Sequence, residues 1–248
     1  MENEIVESNR NKCHYCICKT CAIAQINGGA PGCGNCKDCN LTDGRRSCNE
    51  YYNIEPIKNL NKERDTMIIG IDIDNVLNNL CEAVLSVYNE DSNDNLVPED
   101  IKSYYIENFV KPEFKENFNS YFLNKRVWKR IKLIKDCQKY VARLFREGHT
   151  IIFITSTELE NLKKKANWLK RNFPYLDIRK SLFSCPKKQY MAGIDILIDD
   201  YEKNLINAKY HGILFSAPWN KDFDNNKYGI YRAESWGQIY EIINYIDG

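Results

Sequence analysis

One stretch constrains this chain more than any other: Met67-Ile-Ile-Gly-Ile-Asp-Ile-Asp-Asn-Val-Leu77, an apolar run that stops abruptly in two carboxylates. Ile68, Ile69 and Ile71 read as a strand buried on both faces. Side chains alternate across a strand, so Asp72 and Asp74 point the same way and Ile73 points away. Two carboxylates held side by side repel one another, and burying them unpaired is costly. A cation belongs between them, and a hard divalent ion is the natural candidate. The competing reading is a solvated turn or a Ca²⁺ loop. An EF-hand loop wants an oxygen ligand at position 76 and Gly at 77, after a helix. Val76 and Leu77 stand there instead, after a strand.

The pattern recurs. Ile194-Asp-Ile-Leu-Ile-Asp-Asp200 is again an apolar strand ending in paired carboxylates, and Thr150-Ile-Ile-Phe-Ile-Thr-Ser156 ends in two hydroxyls. Gly212-Ile-Leu-Phe-Ser216 and a short piece at 181–183 are further strands. Helical spacing separates them. Residues 136–147 place Cys137, Tyr140, Val141, Leu144 and Phe145 on one face, and Gly148 ends that helix. Residues 158–172 place Leu162, Ala166 and Leu169 inward, followed by Phe173, with Lys163–Lys165 on the wet face and Pro174 as the break. Residues 236–246 bury Trp236, Ile239, Tyr240, Ile243 and Ile246. Apolar strands alternating with amphipathic helices predict an α/β fold with a parallel sheet covered on both faces. Ligands of such sheets sit outside the carboxyl ends of the strands. Asp72 and Asp74, Thr155 and Ser156, and Asp199 and Asp200 should therefore share one rim. The turn Cys185-Pro-Lys-Lys-Gln189 offers a lysine to it. Carboxylates suit Mg²⁺, while hydroxyls and a lysine suit phosphate oxygens.

Residues 78–130 separate the first strand from the second and carry many aromatics, among them Tyr104, Tyr105, Phe118, Tyr121 and Trp128. A long insertion directly after such a strand is well placed to form a lid, although most of its aromatics are expected to serve as its own core. The basic run Lys125, Arg126, Lys129, Arg130, Lys132 and Lys135 reads first as a solvated helix face and second as a contact for an anionic substrate. His149 and His211 are read as structural or exposed, since no Ser-His-Asp or zinc-protease pattern accompanies them.

Cysteine usage is the compositional outlier. Of the 11 cysteines, those at 13, 16, 18, 21, 33, 36, 39 and 48 lie in the N-terminal stretch. Residues 1–50 hold few large apolar side chains, so they form a separate unit that needs staples rather than a core. Residues 51–66 read as a polar linker. The opening residues, Met1-Glu-Asn-Glu-Ile-Val-Glu-Ser8, are not a secretory signal, and no apolar stretch reaches membrane-spanning length, which predicts a cytoplasmic protein. In a reducing cytosol, metal is the expected staple. Cys13, Cys16, Cys18, Cys21, Cys33, Cys36, Cys39 and Cys48 divide naturally into two tetrahedral Zn²⁺ sites, with His14 able to replace one thiolate. An iron–sulfur cluster is the rival, because Cys33, Cys36 and Cys39 have ferredoxin-like spacing, but the following Cys-Pro is missing. The net charge of +1, and the balanced charges of the first 50 residues, give no support to a nucleic-acid partner.

Taken in order, Asp72-Ile-Asp-Asn-Val, Thr155-Ser156, Lys188 and Asp199-Asp200 resemble the four motifs of the haloacid dehalogenase superfamily. Ala217-Pro-Trp-Asn220 and the Leu-Ile-Asp-Asp fourth motif bring the resemblance closer to its 5′(3′)-deoxyribonucleotidase family. The resemblance covers 67–248 and leaves out the Cys-rich start. It implies a Rossmann-like parallel sheet with a small helical cap, here about 78–130, and Mg²⁺-dependent hydrolysis of (deoxy)nucleoside 5′-monophosphates. It further implies that Asp72 is the nucleophile and that Asp74 is the general acid and then the base. Thr155 and Ser156 would hold the phosphate, and Lys188 would neutralise it and orient Asp72. Mg²⁺ would sit on Asp72, the Asp74 backbone carbonyl and Asp199, with Asp200 beside it or one step out. The sequence departs from the family at Asn75, where Gly is usual. One extra residue between the lysine and Asp199 keeps Lys187 as a second candidate for the catalytic lysine. Two other readings remain open: the same chemistry on another phosphomonoester, such as a sugar phosphate or a nucleic-acid end, and a non-catalytic metal-stapled binding protein.

Overall fold

The computed structural model describes residues 66–248 and, nearer the N-terminus, the backbone of two short strands, β1 (Asn40–Thr42) and β2 (Arg45–Ser47), which pair antiparallel. Apart from that pair, the expected Cys-rich module, its eight metal-binding thiols and the linker over 51–65 lie outside the described residues.

The stretch around Asp72 and Asp74 folds as expected. β3 (Ile68–Ile71) sits in the middle of a six-stranded sheet. β4 (Thr150–Thr155), β5 (Leu182–Ser184), β6 (Ile196–Asp199), β7 (His211–Phe215) and β8 (Tyr231–Ala233) complete it, in the order β5-β4-β3-β6-β7-β8. Every pairing is parallel, with Ile71 opposite Phe153 and Ile198. β8 is the strand that the sequence reading missed; it is only three residues long and alternates Tyr231, Arg232 and Ala233 rather than running apolar.

The strand period of two divides the core. Ile69, Ile71, Ile73, Ile151, Phe153, Ile196, Ile198, Ile213 and Phe215 face one side, and Ile152, Ile154, Leu197 and Leu214 face the other. The first side is covered by α4 (Cys137–Arg146), α5 (Leu159–Asn172) and α7 (Trp236–Asp247). Trp236 is fully buried there, and its indole N–H donates to the Val76 carbonyl at 2.9 Å, pinning the last helix to the turn after Asp74. Gly148 closes α4 with φ +101°, a conformation that glycine adopts without strain. The second side is covered by turns rather than helices, through Ile194, Leu205, Tyr210 and Ile230. The short α6 (Ile178–Ser181) leads into β5.

The insertion after β3 contains α1 (Leu80–Ser92), the single-turn α2 (Pro112–Lys115) and α3 (Lys125–Arg130). It has its own core. Tyr88 is fully buried, with Phe114, Phe118 and Tyr121 edge-on to it at 5.4, 6.1 and 6.2 Å between ring centroids. The basic run is partly spent inside this unit, since Arg126 pairs with Glu90 and Asp91 and Arg130 with Glu90. These pairs are exposed and contribute little stability.

Candidate active site

Strand order places the polar strand ends side by side. β3 lies between β4 and β6, so Asp72, Thr155 and Asp199 leave the sheet at neighbouring carboxyl ends although they are distant in sequence. The Asp72 backbone N–H still donates to the Ile198 carbonyl at 2.9 Å, which carries the sheet alignment up to the rim. Asp72, Asp199 and Asp200 are all buried, and each offers a carboxylate oxygen within 4.8 Å of the others.

Lys188 lies among them. Its ammonium is 2.5 Å from Asp72 Oδ1 and 2.7 Å from Asp199 Oδ2, and its side chain is almost wholly enclosed. Lys187, the alternative, is exposed and lies over the Tyr190 ring. Asp199 is also held by the Tyr201 N–H at 2.9 Å and by the Asn204 amide. Asp200 is held through its backbone: its carbonyl accepts from the Trp219 indole at 3.1 Å and from the Asn220 amide at 2.8 Å. Arg232 fixes Asn220 in turn, at 3.1 Å from its side-chain oxygen and 3.0 Å from its carbonyl. Ala217-Pro-Trp-Asn220 therefore acts as a brace behind the acidic strand end.

The helix after β4 requires a correction. Lys165 was expected on the wet face with Lys163 and Lys164, but it is buried, ion-paired with Asp74 and 2.6 Å from Thr155 Oγ1. The buried face of α5 is Asn161, Lys165, Trp168 and Leu169, whereas Leu162 and Ala166 are only half-buried. Trp168 and Leu169 carried the usable signal, because the residues three and four positions before them share their face. The C-terminal half of that face meets the apolar core and the N-terminal half meets the polar rim, so one stripe changes from apolar to polar along its length.

Asn75, the departure from the usual Gly, has φ +57°. Asn tolerates this left-handed conformation better than other residues with a side chain. Its Oδ1 accepts from the Cys81 N–H at 2.8 Å at the start of α1, a bond that Gly could not supply.

The charges do not balance. Burial, helped by the Asp199 and Asp74 carboxylates and opposed by Lys188 and Lys165, pushes Asp72 from 3.8 to about 7. Asp200 is raised well above its ordinary value by burial first and then by Asp72 and Asp199, against Lys188. Conversely, the flanking carboxylates raise Lys188 against the cost of its own burial. Three buried carboxylates against one ammonium leave two negative charges. Asp200 Oδ2 is buried without a hydrogen-bond partner. An orphaned oxygen in an all-oxygen set with this charge deficit fits a hard divalent cation.

Above the rim lies a cavity of about 720 Å³. Its floor includes Asp74, Ser156 and Lys165; aromatic walls come from Tyr104, Phe122, Trp128 and Trp219; and Glu107, Asn119 and Ser120 add polar groups from the insertion. Trp128 is the one member of the 125–135 stretch that lines it, and the six basic residues of that stretch do not. Tyr104 of the insertion stacks on Tyr201, with centroids 3.9 Å apart and planes 19° from parallel, so insertion and sheet meet beside the acidic rim.

Comparison with known proteins identifies the family and the fold. The family described as 5′ nucleotidase, deoxy (Pyrimidine), cytosolic type C protein matches residues 66–246. A 5′(3′)-deoxyribonucleotidase of Clostridium acetobutylicum is 33% identical over 168 residues, 68% of this chain and 89% of that protein. A second, from Bacillus subtilis, is 27% identical over 174 residues, 69% of this chain and 95% of the relative. Among solved structures, a haloacid dehalogenase-like protein of Agrobacterium tumefaciens superposes with a TM-score of 0.54 at 13% identity, covering 74% of this chain and 100% of that one. A hydrolase of the same superfamily from Deinococcus radiodurans, solved with bound phosphate and sodium, gives 0.50 at 13% identity, covering 73% and 96%. Among the described residues no helix is long and apolar enough to cross a membrane.

Proposed function

The chain belongs to the cytosolic type C 5′-nucleotidase family, and from that premise we propose that it hydrolyses (deoxy)nucleoside 5′-monophosphates through an aspartyl-phosphate, with Mg²⁺. The observation that carries the reading is the buried Asp72–Asp199–Asp200 set around Lys188, two residues from Asp74, which lines an aromatic-walled cavity. A cytosolic setting goes with it, as the family's description does.

Asp72 attacks phosphorus, and the bond to the nucleoside oxygen breaks. Asp74, half-buried at the cavity floor, gives that oxygen its proton. The same carboxylate then takes a proton from water as the water attacks the aspartyl-phosphate, which releases phosphate and restores Asp72. Lys188 holds Asp72 in place and offers positive charge to the phosphoryl oxygens. Ser156 and Lys165, which line the cavity, and Thr155, next to Lys165, donate to the same oxygens. Asp72, Asp199 and Asp200, with the Asp74 carbonyl, would hold Mg²⁺, which supplies charge neutralisation for the phosphoryl group.

The test is phosphate release from ribo- and deoxyribonucleoside 5′- and 3′-monophosphates, with Mg²⁺ and with EDTA. Release that needs Mg²⁺ and vanishes in Asp72→Asn, while that variant still binds nucleotide, is the expected result. Equal turnover by Asp72→Asn would exclude the covalent route.

A further inference from the structure

Asn161 is a polar side chain of this cavity that the reaction above does not use. Asn161 lies on α5 and lines the cavity wall with 8% of its surface exposed. Its Oδ1 is enclosed and has no hydrogen-bond partner. A buried amide oxygen left unmatched costs on the order of 1–3 kcal/mol, so its place in a cavity wall calls for a donor. The terminal torsion of Asn is broad and soft, so the amide can reorient towards a donor in the cavity at little cost.

Its position says which donor. Lys165, four residues on and on the same face of α5, marks the phosphate end through Asp74 and Thr155. Four residues of helix place Asn161 about 6 Å farther along the axis. Beyond the phosphate of a nucleoside 5′-monophosphate the next polar groups are the furanose hydroxyls, and the base lies farther still. Glu107, Asn119 and Ser120, contributed by the insertion, line the same cavity and offer further polar groups there. Of the furanose groups, the 3′-hydroxyl is present in both ribose and deoxyribose.

We propose that Asn161 Oδ1 accepts a hydrogen bond from the 3′-hydroxyl of the substrate sugar, which makes Asn161 a residue that selects for an unmodified furanose. This rests on the nucleotidase reading of the site. A site that matches a hydroxyl with a buried polar group rejects the analogue lacking it, because the group is then left unpaired.

The experiment compares kcat/KM for thymidine 5′-monophosphate and its 2′,3′-dideoxy counterpart in the wild type, Asn161→Ala and Asn161→Asp. The wild type should favour the 3′-hydroxyl roughly tenfold or more. Asn161→Ala should bring the ratio close to one. Asn161→Asp keeps an acceptor oxygen and should keep most of the ratio even where its added charge lowers both rates; it also serves if the alanine variant fails to fold. A wild-type ratio near one, or a ratio that survives in Asn161→Ala, overturns the assignment while leaving the nucleotidase reading intact. Failure of the wild type to hydrolyse either nucleotide overturns both.

Discussion

Lys165 makes the sharpest test of how this site works, because it was placed on the surface by its neighbours in sequence and in the cavity floor by the fold. Consider Lys165→Met, which keeps the length and apolar stem and removes the charge. The side chain of Lys165 is 3% exposed and that of its partner Asp74 is 21% exposed. Breaking a fully buried pair costs about 3–5 kcal/mol, because the remaining charge stays desolvated. Asp74 keeps an opening to the cavity, so water takes over part of the role and the stability loss should fall to about 1–2 kcal/mol. The effect on turnover should be larger. Lys165 supplies one of two ammonium groups at the rim, and removing one preorganised donor to developing negative charge costs on the order of a hundred- to a thousandfold in rate, about 3–4 kcal/mol. Phosphate release at saturating Mg²⁺ gives kcat/KM, and urea unfolding of the same preparation gives the stability term. A folded Lys165→Met protein with kcat/KM within about threefold of wild type would refute the placement of Lys165 in the phosphate site.

Two further outcomes follow from the packing. The Tyr104–Tyr201 stack joins the insertion to the sheet, and a ring pair of this kind contributes about 0.5–1.5 kcal/mol beyond its burial. Tyr201→Ala should therefore raise KM several-fold with a smaller change in kcat, as steady-state kinetics would show; an unchanged KM would mean that the stack does not hold the cavity closed. At Gly70, in mid-strand, an added Cβ would lie 2.7 Å from Ile154 Cδ1 and 3.2 Å from Leu197 Cδ1. Gly70→Ala should destabilise by about 1–3 kcal/mol through overpacking, read as a lowered urea midpoint, whereas a midpoint at or above that of wild type would show that the second core face has room to spare.

Strands β3 to β7 were legible because each is a short apolar run ended by polar residues, and period two assigns every side chain a face; β8, Tyr231-Arg-Ala233, has no such run. The helices were legible wherever the inward stripe stays apolar, as in α4 and α7. Legibility failed where a stripe changes character. In α5 the inward face runs from Leu169 and Trp168 to Lys165 and Asn161, and a rule that puts lysines outside misplaces the polar half. The choice between Lys187 and Lys188 was likewise beyond sequence, since both occupy one turn and only packing decides which of them is enclosed. The brace behind Asp200 joins Trp219 and Asn220 of one connection to Arg232 of β8, and the Ala217-Pro-Trp-Asn220 pattern does not by itself announce the part of Arg232. Asn75 shows the reverse case: a departure from a familiar motif that the backbone explains, because its left-handed conformation suits Asn as well as the usual Gly.

The site's two lysines have different tasks because their carboxylate partners differ in burial. Asp74 and Lys165 form an ion pair that opens on the cavity, where the proposed reaction has the carboxylate exchange protons with the leaving oxygen and with water. Asp72, Asp199, Asp200 and Lys188 form a closed set that, if fully ionised, is two charges short of neutrality. Burial and mutual repulsion raise Asp72 and Asp200, so full ionisation there is unfavourable unless further positive charge is supplied. In the proposed reaction Asp72 must be ionised to attack, and a cation that meets the charge deficit would favour that form. Asp72 and Lys188 are 116 residues apart in sequence and in contact in space. What joins them is the parallel alignment of β3, β4 and β6, which delivers every reactive group to the same end of the sheet and leaves the insertion after β3 as the nearest element to roof it.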